Sequence, residues 1–440
     1  MRHVRRGEAD YETLRKAAVW NARKPDRHPE VIVVAHEERD VVDAVRYAAT
    51  HHLTIGIRSG GHSWVGNGIR DGGMLLDLSH LTEITVDGST ARVQPSAKGP
   101  DIYRAVSEHG WFFPTGHAPT VGIGGFILGG GYGWNSRALG PACLSIEAVD
   151  VVLADGSLVH ATDESHPDLM WAVRGSGPGF FGVVTRFHLR LHPHPEAIRR
   201  TVHRYPASMH QEVLAFTREA LDHLPREVEI SAKVTSRHAM LTATAFGETG
   251  SLAYLEGAPF RNWALGSTVN EPITVPGLYD LADALNPQGM RWSLDGVWLD
   301  GPESVPLARE LNETVPPGHS FVLWMVWGSF PVRENACWSA QGEVYLSPNA
   351  GWTDPAEDLA MESWTSAPLE RIQEHSRGLQ FSDNNLADRW DQGLRPEQAE
   401  RLEKVRATYD PDRRFHTYMR PEESTTAYAR TIRATRARSR

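Results

Sequence analysis

Cysteine is almost absent from this chain, since only Cys143 and Cys337 occur among its 440 residues. Two cysteines exclude a disulfide scaffold and a cysteine-rich metal site, and neither stands in a C-x-x-C motif. Free cysteine usually behaves as a small apolar residue, so we expect both to be buried. We predict no metal ligands.

Long apolar runs are missing as well. No stretch of about 18 apolar residues occurs, so no membrane-spanning helix is predicted. No apolar run follows Met1–Glu8, so the N-terminus lacks the pattern of a secretory signal and the cytoplasm is the expected compartment. An excess of basic residues is also lacking, and the net charge of −10 argues against nucleic acid as a partner.

The composition is that of an ordinary folded protein, with 40% apolar and 23% charged residues. A chain of 440 residues is too long for one simple core, so we expect two domains. Tryptophan is frequent, with 14 residues. These side chains are expected either in the wall of a pocket or a domain interface, or scattered singly through core and surface.

The first glycine-rich stretch is Arg58-Ser59-Gly60-Gly61-His62-Ser63, directly after a β-branched run that predicts a strand. Adjacent glycines let the backbone turn sharply, and successive N–H groups in such a turn suit a phosphate. The basic residue before the glycines and the hydroxyl after them add to that fit. Upstream, Val31–Val34 and Glu38–Thr50 predict a strand and a helix, which makes this region a βαβ unit.

A second glycine-rich stretch, Pro119–Gly133, contains seven glycines between Gly122 and Gly133. It keeps apolar residues such as Ile123 and Phe126, so it is a packed segment where backbone and ligand approach closely, rather than a linker. It is not a dinucleotide fingerprint, because no clean strand precedes it and no acidic residue follows at the required distance.

The glycine density falls between residues 196 and 375. Here the helical pattern of Gln211–Leu224 alternates with predicted strands at Glu229–Val234, Phe321–Trp327 and Gly342–Leu346, which indicates a second domain. A predicted helix, Glu397–Tyr409, ends at Asp410-Pro411. The basic residues that follow are expected to form a solvated, frayed tail.

Four motifs stand together in the order and at the spacing of one known family. They are Arg58–Ser63, Pro119–Gly133, Asp168–Gly175 with Phe181–Val184, and Tyr409–Pro411. In this combination the chain resembles the FAD-linked oxidases of the berberine bridge enzyme type, within the vanillyl-alcohol oxidase or PCMH-type superfamily. The likeness covers the first half of the chain and the last sixty residues well, and the middle poorly.

The resemblance implies an α+β fold of two domains, a PCMH-type FAD-binding domain with an inserted substrate domain of antiparallel sheet plus helices. It places the FAD-binding domain at residues 1–194, with a C-terminal return at 377–425. The substrate-binding domain lies at 195–376, and a flexible basic tail at 426–440.

The resemblance also implies FAD joined covalently to His62 through the flavin 8α-methyl carbon. Such a bond raises the flavin potential, fixes the ring and retains the cofactor. The alternative for His62 is a turn histidine that caps a backbone carbonyl. Family members often carry a second link through a cysteine just before Pro-Thr-Val-Gly, but Ala118 stands there, so one link is expected.

The residues expected to bind the cofactor share the glycine-rich stretches or the later motifs. They are Arg58, Ser59, Gly60, Gly61, His62, Ser63, Thr120, Val121, Gly122, Gly124, Gly125, Gly129, Val183 and Tyr418. The chain departs from the family's polar pattern at Phe126, Leu144, Ser145, Phe180, Gln380 and Tyr418. We expect altered contacts to the flavin ring or ribityl chain, with the phosphate-cradling loops intact.

The proton acceptor is expected on a substrate-domain strand, where Tyr345, Ser347 and Asn349 share one face because strand side chains alternate. We predict Tyr345 and Asn349 as the catalytic residues. Asn349 aligns with a family glutamate but cannot act as a base, whereas Tyr345 could if the flavin site lowers its pKa. His117 and Trp324 are weaker candidates, and the alternative for each of these residues is plain core packing or surface exposure.

Val121 matches a position where a small aliphatic residue leaves room for O₂ beside the flavin, although it could equally be a core valine. The resemblance therefore implies an oxidase that passes electrons from a small molecule, such as a secondary metabolite, to O₂. The alternatives are a monooxygenase or oxidative cyclase of natural-product assembly, and a non-redox cyclase that uses FAD as a scaffold. The expected partners are the small-molecule substrate and O₂, in a monomer or homodimer.

Overall fold

The computed structural model of the chain describes residues 1–247, 252–383, 389 and 392–438. The first element of the fold is a small mixed sheet of four strands. Its strands are β1 (Arg2–Arg5), β2 (Val31–Val34), β3 (Ile55–Arg58) and β4 (Met74–Asp77). Helix α1 (Tyr11–Ala17) follows β1, and α2 (Glu38–Thr50) connects β2 to β3. The order is β1-β2-β4-β3, with β2 and β3 both parallel to β4. The predicted βαβ unit is therefore present, with β4 inserted between its two strands.

A second, antiparallel sheet has the order β5-β6-β10-β8-β9. Its strands are β5 (Ile84–Asp87), β6 (Thr90–Val93), β8 (Ile146–Val152), β9 (Leu158–Thr162) and β10 (Val183–Arg190), and the short β7 (Trp111–Phe112) pairs with β11 (His192–Pro193). The helices of this region are α3 (Gly99–Ser107), α4 (Ile123–Leu128), α5 (Ser136–Leu139) and α6 (Pro167–Val173). Helix α4 lies inside the second glycine-rich stretch, which the sequence predicts only as a packed segment.

The third sheet is antiparallel and forms the middle of the chain, in the order β15-β12-β14-β13-β18-β19-β16 with β17 on β19. Its strands are β12 (Ile198–Pro206), β13 (Val228–Val234), β14 (His238–Phe246), β15 (Gly266–Pro272), β16 (Arg291–Leu294), β17 (Val297–Leu299), β18 (Phe321–Val326) and β19 (Val344–Trp352). Its helices are α7 (His210–Glu219), α8 (Ala253–Glu256), α9 (Val275–Leu285), α10 (Ser304–Leu307), α11 (Arg309–Glu313) and α12 (Asp358–Arg371).

Side-chain alternation gives the third sheet two different faces. Ile230, Ala232 and Val234 of β13 are buried in the same apolar cluster as Val322 and Trp324 of β18, and α7 covers that cluster. The intervening side chains of these strands point to the opposite face. One face of the sheet therefore supplies the core, and the other is free to line a site.

After helix α13 (Pro396–Tyr409) the chain returns to the first sheet. The N–H of Ile55 donates to the Arg414 carbonyl at 2.8 Å, and the N–H of His416 donates to the Ile55 carbonyl at 2.9 Å. Asp410 holds this segment, because its carboxylate accepts the backbone N–H groups of Arg414 and Phe415. The Tyr409-Asp410-Pro411 motif thus closes the open edge of β3.

The chain end differs from the frayed tail that its arginines predict. Residues 427–438 form helix α14 (Ala427–Arg438), which packs on α12. Tyr428 and Ala429 are buried, and the Tyr428 N–H donates to Glu362 at 2.6 Å. These residues therefore differ from the predicted flexible tail, because buried side chains and a backbone hydrogen bond hold the start of the helix on the rest of the chain. Residues 439–440 lie outside the described part.

Both cysteines are buried and neither forms a disulfide, as predicted. Burial raises the pKa of the Cys143 thiol to about 12. Within the described residues, no helix combines the length and the apolar character that crossing a bilayer requires.

Phe415 tests the role of the returning segment. It is 1% exposed and packs among side chains of β2, β3 and β4. We expect Phe415→Ala to lower the free energy of unfolding by about 3–5 kcal/mol, because a large core side chain leaves a cavity. Urea denaturation measures the change, with Leu265→Ala as control because Leu265 is 56% exposed. Equal losses in the two variants would contradict this role.

Candidate cofactor and substrate site

A cavity of about 500 Å³ lies between the glycine-rich stretches and the polar face of the third sheet. The turn after β3, the segment 116–128 and the return segment line one side. Strands β12, β13, β14, β18 and β19 line the other, and α9 borders it. The cavity therefore has a loop side with bare backbone and a sheet side with large side chains.

The two glycine-rich stretches touch each other through their backbones. A Cβ on Gly60 would lie 2.5 Å from the Gly122 nitrogen, and a Cβ on Gly122 would lie 2.8 Å from the Gly60 Cα. The second stretch is anchored from behind, since the Gly124 N–H donates to the Pro95 carbonyl at 2.8 Å. A Cβ on Gly125 would meet nothing within 4 Å. The stretches form a cradle of bare backbone that a bulky side chain would fill, which fits a phosphate-bearing ligand.

Arg58 does not offer a free charge to this cradle. Its Nη1 donates to Asp77 Oδ1 at 2.7 Å, because the parallel register of β3 and β4 places these residues side by side. The guanidinium that the sequence assigns to a phosphate is neutralised by Asp77 in this structure. Binding at the cradle then depends on backbone N–H groups.

His62 is held rigidly on the loop side. Its Nε2 shares a hydrogen bond of 2.7 Å with the Thr120 hydroxyl, and its ring stacks on Trp20 at 4.6 Å between centroids. Burial, with a smaller contribution from the charge of Lys98, lowers the pKa of His62 to about 3. The imidazole is therefore neutral at neutral pH, and its partner is a hydroxyl rather than the backbone carbonyl of the alternative interpretation.

Most of the residues predicted to bind the cofactor line this cavity: Arg58, Ser59, Gly60, Gly61, His62, Ser63, Thr120, Val121, Gly122, Gly124 and Gly125. Gly129, Val183 and Tyr418 do not. Val183 is buried against the first sheet and its neighbour Val184 faces the cavity, because adjacent strand residues point to opposite faces. Tyr418 stacks on Phe381 and donates its hydroxyl to the Ser176 carbonyl behind the wall.

Tyr345, Ser347 and Asn349 do share one face and line the cavity. The Tyr345 hydroxyl donates to the Asp383 carbonyl at 2.7 Å, and burial raises the pKa of Tyr345 well above its usual value. The lowered pKa that a basic Tyr345 requires is thus absent from this structure. Asn349 Nδ2 donates to the Ser347 carbonyl at 2.9 Å.

Of the two weaker candidates, only His117 faces the cavity. Burial lowers the pKa of His117 to about 4. Trp324 is fully buried beneath α7, on the opposite face of β18 from Phe321 and Met325. Trp324 therefore packs in the core, which is the alternative that the sequence left open for it.

Three carboxylates of the cavity wall were missed, of which Asp283 is exposed. Glu229, on β13, is buried and its Oε2 lies 4.0 Å from His117 Nε2. Asp383 accepts a hydrogen bond from Gln380, and burial raises the pKa of Asp383 to about 6. For Glu229 the signal was available, because Glu229, Ser231 and Lys233 alternate with apolar residues along a predicted strand.

The far end of the sheet side is positively charged. Lys233 on β13 and Arg200 on β12 both line the cavity, and Lys233 Nζ lies 4.7 Å from the centre of the Phe321 ring. Burial lowers the pKa of Lys233 to about 8, and nearby Arg200 adds to the shift. Among the described residues, no carboxylate forms an ion pair with either cation.

Away from the cavity, one group of three described residues could reach a common ion: Asp150, His160 and His188. His160 Nδ1 lies 2.6 Å from Asp150 Oδ1, and His188 Nε2 lies 3.1 Å from Oδ2. These direct contacts satisfy the carboxylate without a metal. The absence of metal ligands stays a prediction.

Known proteins resemble this chain in sequence and in fold. Residues 29–162 match the family described as FAD binding domain. The FAD-linked oxidoreductase nodO of Hypoxylon pulicicidum is 31% identical over 421 residues, covering 92% of this chain and 94% of that protein. The (R)-6-hydroxynicotine oxidase of Paenarthrobacter nicotinovorans is 29% identical over 435 residues, covering 91% and 93%. The solved structure of BBE-like 1 from Physcomitrella patens covers 96% of each chain with a TM-score of 0.84 at 21% identity, which confirms the predicted fold.

The contact between the glycine-rich stretches can be tested with Gly60→Ala. The added Cβ must push against backbone, so we expect a loss of about 1–3 kcal/mol in unfolding free energy and a lower FAD content after purification. Gly266→Ala is the control, since its Cβ would meet only the end of the Arg204 side chain at 3.4 Å. Thermal unfolding and the flavin-to-protein absorbance ratio provide the readouts. Unchanged values for Gly60→Ala would show that the contact is dispensable.

Proposed function

The chain belongs to the FAD-linked oxidoreductases, and on that premise we propose that it is an oxidase, carrying FAD on His62 alone and passing electrons from a small organic molecule to O₂. The observation that carries this proposal is the position of His62. A buried, neutral imidazole stands beside a cradle of bare backbone, in a cavity whose other side can receive a substrate.

The residues of the loop side fit FAD. Backbone N–H groups at Gly60, Gly61, Gly122 and Gly125 would hold the pyrophosphate, since Arg58 is engaged by Asp77. The N–H groups of Ile123 and Gly124 instead donate to the Ala97 and Pro95 carbonyls. When bound, FAD supplies an acceptor for a hydride from the substrate. The third sheet closes the opposite side of the cavity, which would keep water from the reacting atoms.

Two features support His62 as the single covalent link. Its low pKa leaves a nitrogen lone pair free of a proton, and the Trp20 stack with the Thr120 hydroxyl fixes the ring plane. A second link needs another nucleophile in the cavity wall. Ala118 lines the wall at the position of the family's cysteine, and neither Cys143 nor Cys337 reaches it.

The sheet side supports a largely apolar substrate. Leu294, Phe321, Leu323, Met325 and Trp327 supply large apolar side chains to it, beside polar and charged side chains that β12, β13, β14 and β19 contribute. Such a wall suits an aromatic or polyketide-like secondary metabolite better than a carbohydrate. Val121 also lines the cavity, and its small side chain supports O₂ as the acceptor.

The function is tested by mixing the purified protein with candidate substrates in air and without air. An oxidase bleaches its flavin only without air and forms peroxide in air. Transfer of oxygen to the product would favour the monooxygenase instead. Turnover with no redox change of the flavin would favour the non-redox cyclase.

The covalent link is tested by acid precipitation. We expect a yellow pellet from the unmodified protein and a colourless pellet from His62→Ala, because only a covalent flavin survives unfolding. The exposed His109→Ala variant should give a yellow pellet. Circular dichroism checks that each variant is folded. Colour that still precipitates with His62→Ala would place the link elsewhere.

The role of Val121 is tested by Val121→Ile. One added methylene beside the flavin should slow reoxidation by O₂ about tenfold, a barrier increase of ~1.4 kcal/mol. Stopped-flow absorbance follows reoxidation in air and, separately, anaerobic reduction by substrate. The reduction rate serves as the internal control and should stay the same. A fall confined to the reduction step would assign Val121 to substrate binding instead.

A further inference from the structure

Three buried polar groups meet in the cavity wall without hydrogen-bond partners among the residues that the structure describes. They are Glu229 Oε1, His117 Nε2 and Trp134 Nε1. His117 Nε2 lies 4.0 Å from Glu229 Oε2, and the His117 and Trp134 rings lie 4.2 Å apart. A buried polar atom left without a partner costs about 1–3 kcal/mol. Three such atoms lining one cavity indicate a ligand that supplies the missing hydrogen bonds.

The three groups differ in whether they donate or accept hydrogen bonds. The Trp134 indole N–H only donates, an ionised Glu229 only accepts, and the neutral His117 imidazole can do either. A ligand that satisfies all of them needs both an acceptor atom and a transferable proton. We propose that they bind the hydroxyl or amino group on the carbon that is oxidised, and that Glu229 takes its proton. This proposal rests on the proposed oxidase function.

The reaction balances with groups already named. The C–H and the O–H or N–H bond of the substrate break, and a C=O or C=N bond forms. The proton goes to Glu229 Oε1, and the C–H hydrogen leaves with its electron pair as a hydride, which FAD accepts under the proposed function. The new carbonyl or imine can then accept a hydrogen bond from Trp134. Substrates of this class are alcohols or amines with a hydrogen on the adjacent carbon.

Glu229 is a stronger base than Asp383. Burial raises the pKa of Glu229 to about 8, opposed by the backbone N–H groups of Asn135 and Ser136 and by the charge of Arg137. His117 is a weaker base because burial lowers its pKa. Asp383 has a hydrogen-bond partner in Gln380. Glu229 Oε1 is buried and has no hydrogen-bond partner among the described residues.

The charged surroundings of Glu229 come from several elements. Arg137 of α5 donates to four backbone carbonyls, those of Leu221, Leu224, Pro225 and Val228, so its guanidinium is already engaged. Arg200 of β12 and Thr244 of β14 lie in the same cross-strand row as Glu229, and Lys233 lies four residues along β13. His117 reaches it from the loop after β7.

The first test follows anaerobic flavin bleaching by a substrate found in the screen, as a function of pH. The rate should rise as the pH passes about 8, because Glu229 must lose its proton before it can accept another. Glu229→Gln should lose this rise and slow the step by about 10²–10⁴-fold, with little change in flavin content. Glu229→Asp should restore part of the rate.

Two further variants make this test specific. Glu227→Gln removes an exposed carboxylate just before β13 and should behave as the unmodified protein. Asp383→Asn removes a second carboxylate of the wall, whose raised pKa is about 6. An inflection near pH 6 that disappears in Asp383→Asn, with Glu229→Gln still active, would overturn the proposal.

The second test needs no substrate. Difference infrared spectroscopy should show the C=O stretching band of a protonated carboxyl group that disappears between pH 7 and pH 9, about one unit on either side of the Glu229 pKa. The band should be absent from Glu229→Gln and present in Glu227→Gln. Its absence from the unmodified protein would overturn the proposal even if the enzyme proves to be an oxidase. A normal band with no oxidisable substrate among all those tested would overturn the oxidase function instead, and with it the assigned role of Glu229.

Discussion

The backbone of Gly60 lies against the backbone of Gly122, and the rest of the site depends on that contact. Any side chain at either position would separate two stretches that are sixty residues apart in sequence. Their approach brings the Thr120 hydroxyl to His62 and leaves bare N–H groups facing the cavity. The parallel pair of β3 and β4 fixes the first stretch, and hydrogen bonds to the segment before α3 fix the second. The cradle is therefore part of the fold rather than a flexible loop that closes on a ligand.

The third sheet uses one set of strands for stability and for the site. Along β13, Ile230 and Val234 pack under α7 while Glu229 and Lys233 face the cavity. A shift of one residue in strand register would exchange these two sets completely. Core packing and the placement of Glu229 are thus coupled. Packing of the apolar side chains fixes the strand register, and the register determines which side chains face the cavity. This explains how buried carboxylate and ammonium groups can be held in a wall that offers them few partners.

Local sequence patterns were sufficient to predict the positions of helices and strands, but not to predict which of their side chains face the cavity. The strand Val31–Val34 and the helix Glu38–Thr50 have the predicted bounds. The spacing of apolar residues and the prolines or glycines that end an element are local signals in the sequence. The glycine-rich stretches were placed at the cofactor side for the same reason, since adjacent glycines constrain the backbone directly. Val183 was predicted to bind the cofactor but does not line the cavity, because which side of a strand is covered depends on partners far away in the chain. Arg58 was assigned to a phosphate for a similar reason, as its pairing with Asp77 arises only from the β3–β4 register. Glu229 belongs to a strand that was predicted, but its neighbour His117 lies more than a hundred residues away.

Burial shifts the pKa values of several titratable groups of the cavity, each in the direction that favours the uncharged form. Burial lowers the pKa of His62 to about 3, of His117 to about 4 and of Lys233 to about 8, and it raises the pKa of Glu229 to about 8. The same desolvation therefore keeps the His62 nitrogen free of a proton on the loop side and makes Glu229 a stronger base than an exposed carboxylate on the sheet side. The same burial favours a neutral alcohol or amine over its ionised form. Burial also favours a reaction in which the substrate loses a proton and a hydride to separate acceptors. Loss of only one of them would leave a charged substrate, whereas loss of both leaves a neutral carbonyl or imine.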